Sequence, residues 1–464
     1  MRLFRLLISA IGVAVIAGVS AFAGELTLDD CISLALKNRE SIVRARSSEE
    51  LARAGKRAAL GAFLPRLDAA YSYSKSKDMD VKSEQNMPTG YVDSISTNII
   101  GADTAKDFHR YGTNYQKMEM PSPDQDRVGK SLSLSGSMSI LDVSTFYDYA
   151  SAKAQHAAAK LDVIASEQDL IASVKTSFYA YLATVQNVSV LEEAAKRSEE
   201  QLKLIQSKFD LGSASKSDVL KQKVQYGNDK LELLKARNGV TGAVASLAYT
   251  IGIDPRQDWQ FSTQYTVRAF EGPLDSAIAF GLAHRPGLLS LERSLSSSSS
   301  NLGSARAQYL PKLGASASYT LSDGTRGDTA TYNYSSKSFS YGFRVSWNIF
   351  DGFARERQVT QAKVTRNNVQ AGLADARNLT ISEIKTAYLD IGQLKDQKSV
   401  AEENVAAATE DLKITQEKYN LGAATILDLL DAQVSLKRAE VSRISADFDL
   451  NLAISRLEKS MGKL

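Results

Sequence analysis

The sequence predicts a mostly α-helical protein that also contains four amphipathic β-strands and is built from one duplicated module. Three observations support this fold class. Two distant parts of the chain match each other in the same order, long stretches of each part show the apolar spacing of a helix, and four shorter stretches alternate apolar with polar residues. Each repeat should therefore combine long helices with two strands.

The duplication is visible as a gapless match between residues 28–39 and 274–285, at an offset of 246 (274 − 28). The same offset carries the Leu-Pro-x-Leu segment at 64–67 onto the one at 310–313. Matches at a fixed offset indicate an internal structural repeat. We divide the chain into a signal peptide at 1–23, a first repeat at 24–253, a joining segment at 254–273 and a second repeat at 274–464.

Residues 1–23 have the pattern of a secretory signal peptide. Arg2 and Arg5 precede an apolar run over residues 6–19, and Ala21-Phe22-Ala23 has the small-x-small pattern of a cleavage site. An uncleaved membrane anchor is the alternative, because the run is nearly long enough to span a bilayer. No later stretch approaches 18 uninterrupted apolar residues. An exported chain of this kind could be periplasmic, secreted, or an outer-membrane strand protein.

In the first repeat, a helical pattern over residues 28–62 is stopped by Pro65, and alternation over 67–74 predicts a strand. Residues 75–130 are polar and rich in turn formers, so we expect a long exposed loop. A second strand is predicted over 131–140, followed by a helix over 144–210, which would be about 100 Å long. A turn at Gly212 should reverse the chain into a helix that ends near Ile253.

The joining segment contains Pro255, Trp259, Phe261, Tyr265 and Phe270 and should be a short belt packed on the helices. In the second repeat, the pattern predicts a helix over 274–309 and strands over 313–321 and 339–349, joined by a loop at 322–337. Two further helices are predicted on either side of Gly422. Five serines at 296–300 would alone suggest a linker, but the match with the first repeat places them inside a helix.

The two turns repeat each other closely, as Lys208-Phe-Asp-Leu-Gly212 and Lys418-Tyr-Asn-Leu-Gly422 show. Each glycine favours the left-handed backbone conformation that commonly ends a helix. Ser215 and Thr425 are residues typical of the N-cap position of the next helix. An aspartate follows each cap by three residues, which is the spacing of a capping box. Two long helical hairpins should therefore bend at matching places.

The last predicted strand alternates an aromatic row, which includes Phe343 and Trp347, with a polar row that includes Arg344. This pattern suits lipid on one face and water on the other, although a soluble sandwich could show it too. A membrane barrel must close, and it needs about eight strands to do so. One chain with four strands cannot close a barrel alone, so we expect several identical chains to share one.

Together these features resemble the TolC-like outer-membrane factor family of efflux channels. The resemblance rests on the duplicated module, Leu-Pro-x-Leu before strands, Ile140-Leu141-Asp142 and Ile349-Phe350-Asp351-Gly352 after strands, and Tyr419-x-x-Gly422 before an aspartate-bearing helix. It implies a homotrimer with a shared transmembrane β-barrel of twelve strands in outer-membrane lipid. It also implies a periplasmic α-barrel of long helical hairpins, coupled to a periplasmic adaptor protein and an inner-membrane pump.

The resemblance places Gly212 and Gly422 at the periplasmic tip and matches Asp428 and Asp431 to the acidic residues that ring the entrance constriction. Asp428 could instead serve only as a capping residue, since Asp218 repeats it, whereas the counterpart of Asp431 is Lys221. In the family pattern an aromatic such as Tyr419 is linked to an acid such as Asp218 as a latch. This chain has Ala424 where relatives carry a latch arginine, so the latch should be weaker or built differently.

Arg344 should point into the barrel lumen, where it could favour anions or simply pair with a neighbouring carboxylate. Catalysis is not expected, because the histidines at 109, 156 and 284 are scattered and no phosphate loop or nucleophile elbow is complete. We expect no cofactor and, at a formal net charge of +3, no nucleic-acid partner. The function indicated is an outer-membrane exit duct; a periplasmic coiled-hairpin structural or adaptor protein is the alternative.

Overall fold

The computed structural model describes residues 25–78, 82–96, 108–121, 125–264, 272–326 and 332–464. The predicted signal peptide lies outside the described residues, and its cleavage stays a prediction. The described chain forms a helical unit, drawn from residues 25–57, 147–305 and 356–464, and a strand unit, drawn from residues 58–146 and 306–355.

The helical unit contains the long helices that the repeat predicts. In chain order the helices are α1 (Leu28–Asn38), α2 (Glu40–Gly61), α3 (Val143–Asp210), α4 (Lys216–Ile251), α5 (Leu274–His284), α6 (Pro286–Ala307), α7 (Ala354–Asn420) and α8 (Ile426–Met461). Helix α3 has 68 residues and α7 has 67, so each is about 100 Å long. The serine run at 296–300 lies inside α6, as the repeat predicts.

The first helix of each repeat is broken, which the apolar pattern does not predict. Arg39 separates α1 from α2 and Arg285 separates α5 from α6, and both have extended backbone angles. The two breaks are related by the offset of the duplication (285 − 39 = 246). Pro286 disfavours the helical conformation at Arg285, because its ring crowds the preceding residue. The first copy makes the same bend with Glu40 in that place.

The described helical unit contains three clusters of buried apolar side chains. The largest is built around the buried Phe178 and Leu182 of α3, Ile251 of α4 and Phe448 of α8. The joining segment contributes to it, because Phe261 is buried and forms a parallel bridge with Leu26. The prediction of a packed belt is thus confirmed for Trp259 and Phe261, whereas Pro255 is exposed, and Tyr265 and Phe270 lie outside the described residues.

The strand unit contains six described strands where the sequence predicts four. They are β1 (Arg66–Asp78), β2 (Lys82–Ser96), β3 (Phe108–Pro121), β4 (Gln125–Leu141), β5 (Lys312–Arg326) and β6 (Tyr332–Ser346). Strands β1, β4, β5 and β6 form one antiparallel sheet in that order, and β2 pairs only with β3.

The prediction of a long loop over residues 75–130 is wrong. The four-stranded sheet extends into it through β1 and β4, and β2 and β3 form a hairpin inside it. The polar composition of this segment concealed the strands, because its sequence shows no sustained alternation of apolar and polar residues. The loop predicted over 322–337 is also too long, since β5 runs to Arg326 and β6 begins at Tyr332 and ends at Ser346.

The alternation predicted for the four-stranded sheet is confirmed by its register. Ala69, Leu134, Tyr319 and Phe339 stand side by side across the four strands as one apolar row. On the other face serines meet across strand pairs, with 2.8 Å between the Oγ atoms of Ser72 and Ser131 and, separately, between those of Ser318 and Ser340. Within a single chain the aromatic row is largely exposed, as Tyr341 and Phe343 are 78% and 74% exposed. None of the described helices is long and apolar enough to cross a membrane.

Candidate functional site

The tips of the two long hairpins are closed by the same hydrogen-bonded turn. We call residues 208–218 the first tip and residues 418–428 the second tip. Gly212 has φ 77° and Gly422 has φ 78°, which is the left-handed region that side chains with a Cβ rarely adopt. The Ser213 and Ala423 amides donate to the carbonyls of Lys208 and Lys418 at 2.8 Å. This six-to-one bond is the Schellman ending of a helix, and it reverses the chain within a few residues.

A capping box starts the second helix of each hairpin. The Asp218 amide donates to Ser215 Oγ at 3.1 Å, and the Ser215 amide donates to Asp218 Oδ2 at 3.2 Å. At the second tip the Thr425 amide donates to Asp428 Oδ2 at 2.8 Å, and its hydroxyl donates to the same oxygen at 2.7 Å. Asp218 and Asp428 therefore satisfy backbone groups that the first helical turn leaves unpaired.

Asp428 and Asp431 lie in different surroundings although one helical turn separates them. The backbone and side-chain hydrogen bonds from Thr425 lower the pKa of Asp428, so this carboxylate is held in its charged form by the cap. Asp431 is exposed, and among the described residues it has no hydrogen bond or ion pair. The carboxylate of Asp431 is thus free to act on a solute or on another chain.

The side chain of Tyr419 lies between the two tips of one chain. Lys208 Nζ lies 4.8 Å from the centre of the Tyr419 ring and donates to Asn420 Oδ1 at 3.2 Å. Burial and the nearby Asp218 carboxylate raise the pKa of Tyr419. The Asp218 carboxylate thus lies close enough to disfavour ionisation of the Tyr419 hydroxyl, and Lys208 makes a cation–π contact with the same ring.

A small apolar cluster holds the tips together beneath this polar group. Ile205 of α3 and Ile426 and Leu429 of α8 are buried there, and Tyr419 packs against them. Leu211 and Leu421, which precede the two glycines, are each 84% exposed. The tips of one chain are therefore packed on each other through one face and expose matched leucines on another.

Arg344 lies on β6 opposite Gly314 of β5, on the same face of the sheet as the serine pairs. It is exposed, and within the described part of the chain it has no hydrogen bond or ion pair. Two other cations of this face are paired, since Arg66 contacts Asp68 at 3.1 Å and Lys312 contacts Asp142 at 2.8 Å. Arg344 consequently provides an unpaired positive charge on the polar face of the sheet.

Sequence reasoning missed the contacts of Lys208 and a partly buried group of ion pairs farther along the hairpins. Lys437 of α8 donates to Asp229 Oδ1 at 2.9 Å and to Glu232 Oε2 at 2.8 Å, both on α4. More than two hundred residues separate Lys437 from these partners in the chain, and no spacing rule relates them. No cluster of three or more His, Cys, Asp or Glu side chains suited to a metal ion is present among the residues described.

Comparison with known proteins links this architecture to one family. The family described as outer membrane efflux protein matches residues 108–252 and 281–463. The alkaline protease secretion protein AprF of Pseudomonas aeruginosa is 24% identical over 448 residues, which are 96% of this chain and 85% of AprF. The outer membrane efflux protein BepC of Brucella suis is 22% identical over 315 residues, covering 66% of this chain and 68% of BepC.

Solved structures show the same fold at low sequence identity. The outer membrane protein VceC of Vibrio cholerae superposes with a TM-score of 0.72 at 17% identity, covering 94% of this chain and 96% of VceC. CusC superposes with a TM-score of 0.74 at 16% identity, covering 97% of this chain and 95% of CusC. This chain thus shares its fold with VceC and CusC.

Proposed function

The chain belongs to the outer membrane efflux protein family and is an outer-membrane exit duct, and on this premise we propose that it works as a homotrimer in a tripartite efflux or type I secretion system. The family consists of channel proteins. AprF is by name a protein of alkaline protease secretion, and BepC an efflux protein. We therefore assign to this chain a periplasmic adaptor protein and an inner-membrane pump as partners.

The observation that carries this proposal is the open four-stranded sheet with one exposed aromatic face. Strands β1 and β6 are its edges, and neither pairs on its outer side with another of the described strands. An unpaired edge cannot remain open in lipid, where no water satisfies its backbone groups. Three chains would supply twelve strands and pair every edge, with the aromatic row toward lipid and the serine row toward water.

An apolar stripe on α4 supports assembly through the helices as well. Leu220, Val224, Leu231 and Leu234 are each at least 50% exposed in the single chain. Their spacing of three, four and seven residues is the seam of a coiled coil. A neighbouring copy would cover this stripe and close the helices into a tunnel. A periplasmic coiled-hairpin adaptor, the alternative, is not favoured by the relatives.

We place the periplasmic entrance at the two tips. In a trimer the three free carboxylates of Asp431 would surround one axis and attract cations. Asp428 would add charge while it caps α8, and Tyr419, Asp218 and Lys208 would link the two hairpins as the latch. Arg344 would add a positive charge to the barrel lumen.

The test is fractionation of the mature protein followed by single-channel recording. The protein should sediment with outer membranes, migrate as a trimer in mild detergent, and form channels in planar lipid bilayers. A mature protein that remains a soluble monomer would overturn the proposal. If trimers form but Asp431→Asn leaves cation selectivity unchanged, the duct stands and the carboxylate ring does not.

A further inference from the structure

The aromatic face of the four-stranded sheet changes from apolar to charged within one step along the strands. On β5 the side chains of this face are apolar or aromatic from Leu313 to Leu321, and the next one is Asp323. The apolar part covers 8 residue steps (321 − 313), about 27 Å along the strand and about 20 Å along the membrane normal at the usual strand tilt. That is most of the lipid-facing band of about 25 Å that membrane barrels show. Asp323 therefore lies at the edge of the lipid.

Lysines collect at this edge of the band. The register places four lysines and two aspartates there on the aromatic face, namely Lys75, Lys77, Asp126, Lys130, Asp323 and Lys337. Their net charge is +2 per chain (4 − 2). At the other end of the same face, where Leu67, Leu313 and Val345 lie, the described strands carry no charged residue. The positive charge is thus confined to one edge of the lipid band.

The lysine edge faces the outside of the cell. Strand β4 ends at Leu141 and α3 begins at Val143, so the inner ends of the strands are those joined to the periplasmic helices. The lysines lie toward the opposite strand ends, which are at Asp78 and Arg326. They therefore meet the outer leaflet of the outer membrane, whose glycolipids carry phosphate groups on their sugar headgroups. Lysines beside an anionic headgroup attract it electrostatically.

A depression of about 360 Å³ opens among β4, β5 and β6 at this edge. Its lining includes Lys130, Asp323 and Asn333, which share the aromatic face because residues two apart along a strand point the same way. Lys130 is exposed and has no hydrogen bond or ion pair within the described chain. The same holds for Lys337, whereas Lys75 contacts Asp126 at 3.4 Å. Two cations beside the depression are therefore available for an anion.

Lys130 and Lys337 are placed to reach one headgroup. They lie two strand spacings apart across the sheet and one same-face step apart along it, so their Cα atoms are about 12 Å from each other. Asp323 of β5 lies between them and, with Asn333, offers hydrogen bonds to sugar hydroxyls. The site thus combines cations for phosphate, polar groups for a sugar, and an adjoining apolar surface for acyl chains.

We propose that this depression binds the phosphorylated sugar headgroup of a glycolipid of the outer leaflet, with Lys130 and Lys337 as its phosphate ligands. The inference rests on the proposed trimeric barrel, which turns the aromatic face toward lipid. The acyl chains lie along the row that contains Tyr319 and Phe339. Inorganic phosphate lacks this apolar contact, so the lipid headgroup rather than a free anion is the ligand.

The test is titration of the full-chain trimer in mild detergent with bisphosphorylated lipid A, followed by native mass spectrometry. The wild-type trimer should bind this lipid at least about twentyfold more tightly than lipid A from which the phosphates have been removed. Lys130→Gln and Lys337→Gln should each weaken binding about fivefold, and Lys130→Arg, which keeps the charge, should bind as wild type does. Lys395→Gln is the matched control, because it removes an exposed lysine of α7 and should leave binding unchanged.

Equal binding of the phosphorylated and dephosphorylated lipids would overturn the site, and this comparison needs only the wild-type chain. Wild-type affinity in both glutamine variants would also overturn it, as would an equal loss in Lys395→Gln. Displacement of the lipid by an equimolar amount of inorganic phosphate would assign the site to a free anion instead. A chain that forms no trimers or channels would overturn the exit-duct proposal, whereas trimeric channels that bind both lipids alike would overturn the lipid site alone.

Discussion

Substituting alanine for Gly422 measures how strongly the second tip depends on its left-handed turn. Gly422 has φ 78°, and a Cβ placed on it would meet no atom within 4 Å. The cost is therefore that of the backbone conformation alone, about 1–2 kcal/mol for a residue with a Cβ. Because the Ala423 amide donates to the Lys418 carbonyl only in this conformation, its hydrogen exchange reports the stability of the turn.

We expect Gly422→Ala to accelerate exchange of the Ala423 amide by about 5- to 30-fold, the factor that corresponds to 1–2 kcal/mol. Gly392→Ala is the matched control, since Gly392 lies inside α7, has no positive φ and also has open space around it. Alanine should stabilise that helix interior by about 0.5–1 kcal/mol. The two identical substitutions should thus have opposite signs.

Two results would refute this reasoning. Wild-type exchange of Ala423 in Gly422→Ala would mean that another turn geometry closes the hairpin at no cost. Faster exchange at the tip in Gly392→Ala would mean that the added methyl group, rather than the backbone conformation, is responsible.

Asp431→Asn should lower the cation selectivity of single channels and weaken their block by multivalent cations about tenfold. Asp428→Asn should mainly speed hydrogen exchange in the first turn of α8, because it removes a capping carboxylate. Equal losses of selectivity in the two variants would contradict these separate roles. Asp218→Asn should lower the raised pKa of Tyr419 toward its ordinary value of 10.0, as NMR of ring-labelled tyrosine would report. An unchanged pKa would mean that the Asp218 carboxylate does not act on the Tyr419 hydroxyl. The neutral Tyr419 ring should make its full contribution to the free energy of unfolding below pH 10.0. This contribution should be lost as the pH rises through the raised pKa of Tyr419. Hydrogen bonds from Thr425 lower the pKa of Asp428. The capping carboxylate should therefore stabilise α8 fully above pH 3.8, and this stabilisation should be lost as the pH falls through the lowered pKa. Hydrogen exchange of the Asp428 amide would measure the loss.

The sequence predicted the elements that repeat or alternate. The offset of 246 residues (274 − 28) reveals the duplication, and the two-residue period identifies β1, β4, β5 and β6. The same rules failed for β2 and β3, because this hairpin pairs through backbone hydrogen bonds and carries no apolar row that the period could reveal. They also missed the break at Arg39, where no proline follows to mark it.

The sequence alone determined the ends of the hairpins, because a left-handed glycine and a capping box are local devices whose partners lie within a few residues. Gly422, Thr425 and Asp428 are of this kind. Only the tertiary structure decided which charges are paired. Asp431 has no partner among the described residues and Lys437 is buried against Asp229, although both lie on α8 and neither position is distinguished by its neighbours in the chain. Pairing depends on which helices the fold brings together, and that is set by packing over two hundred residues rather than by local spacing.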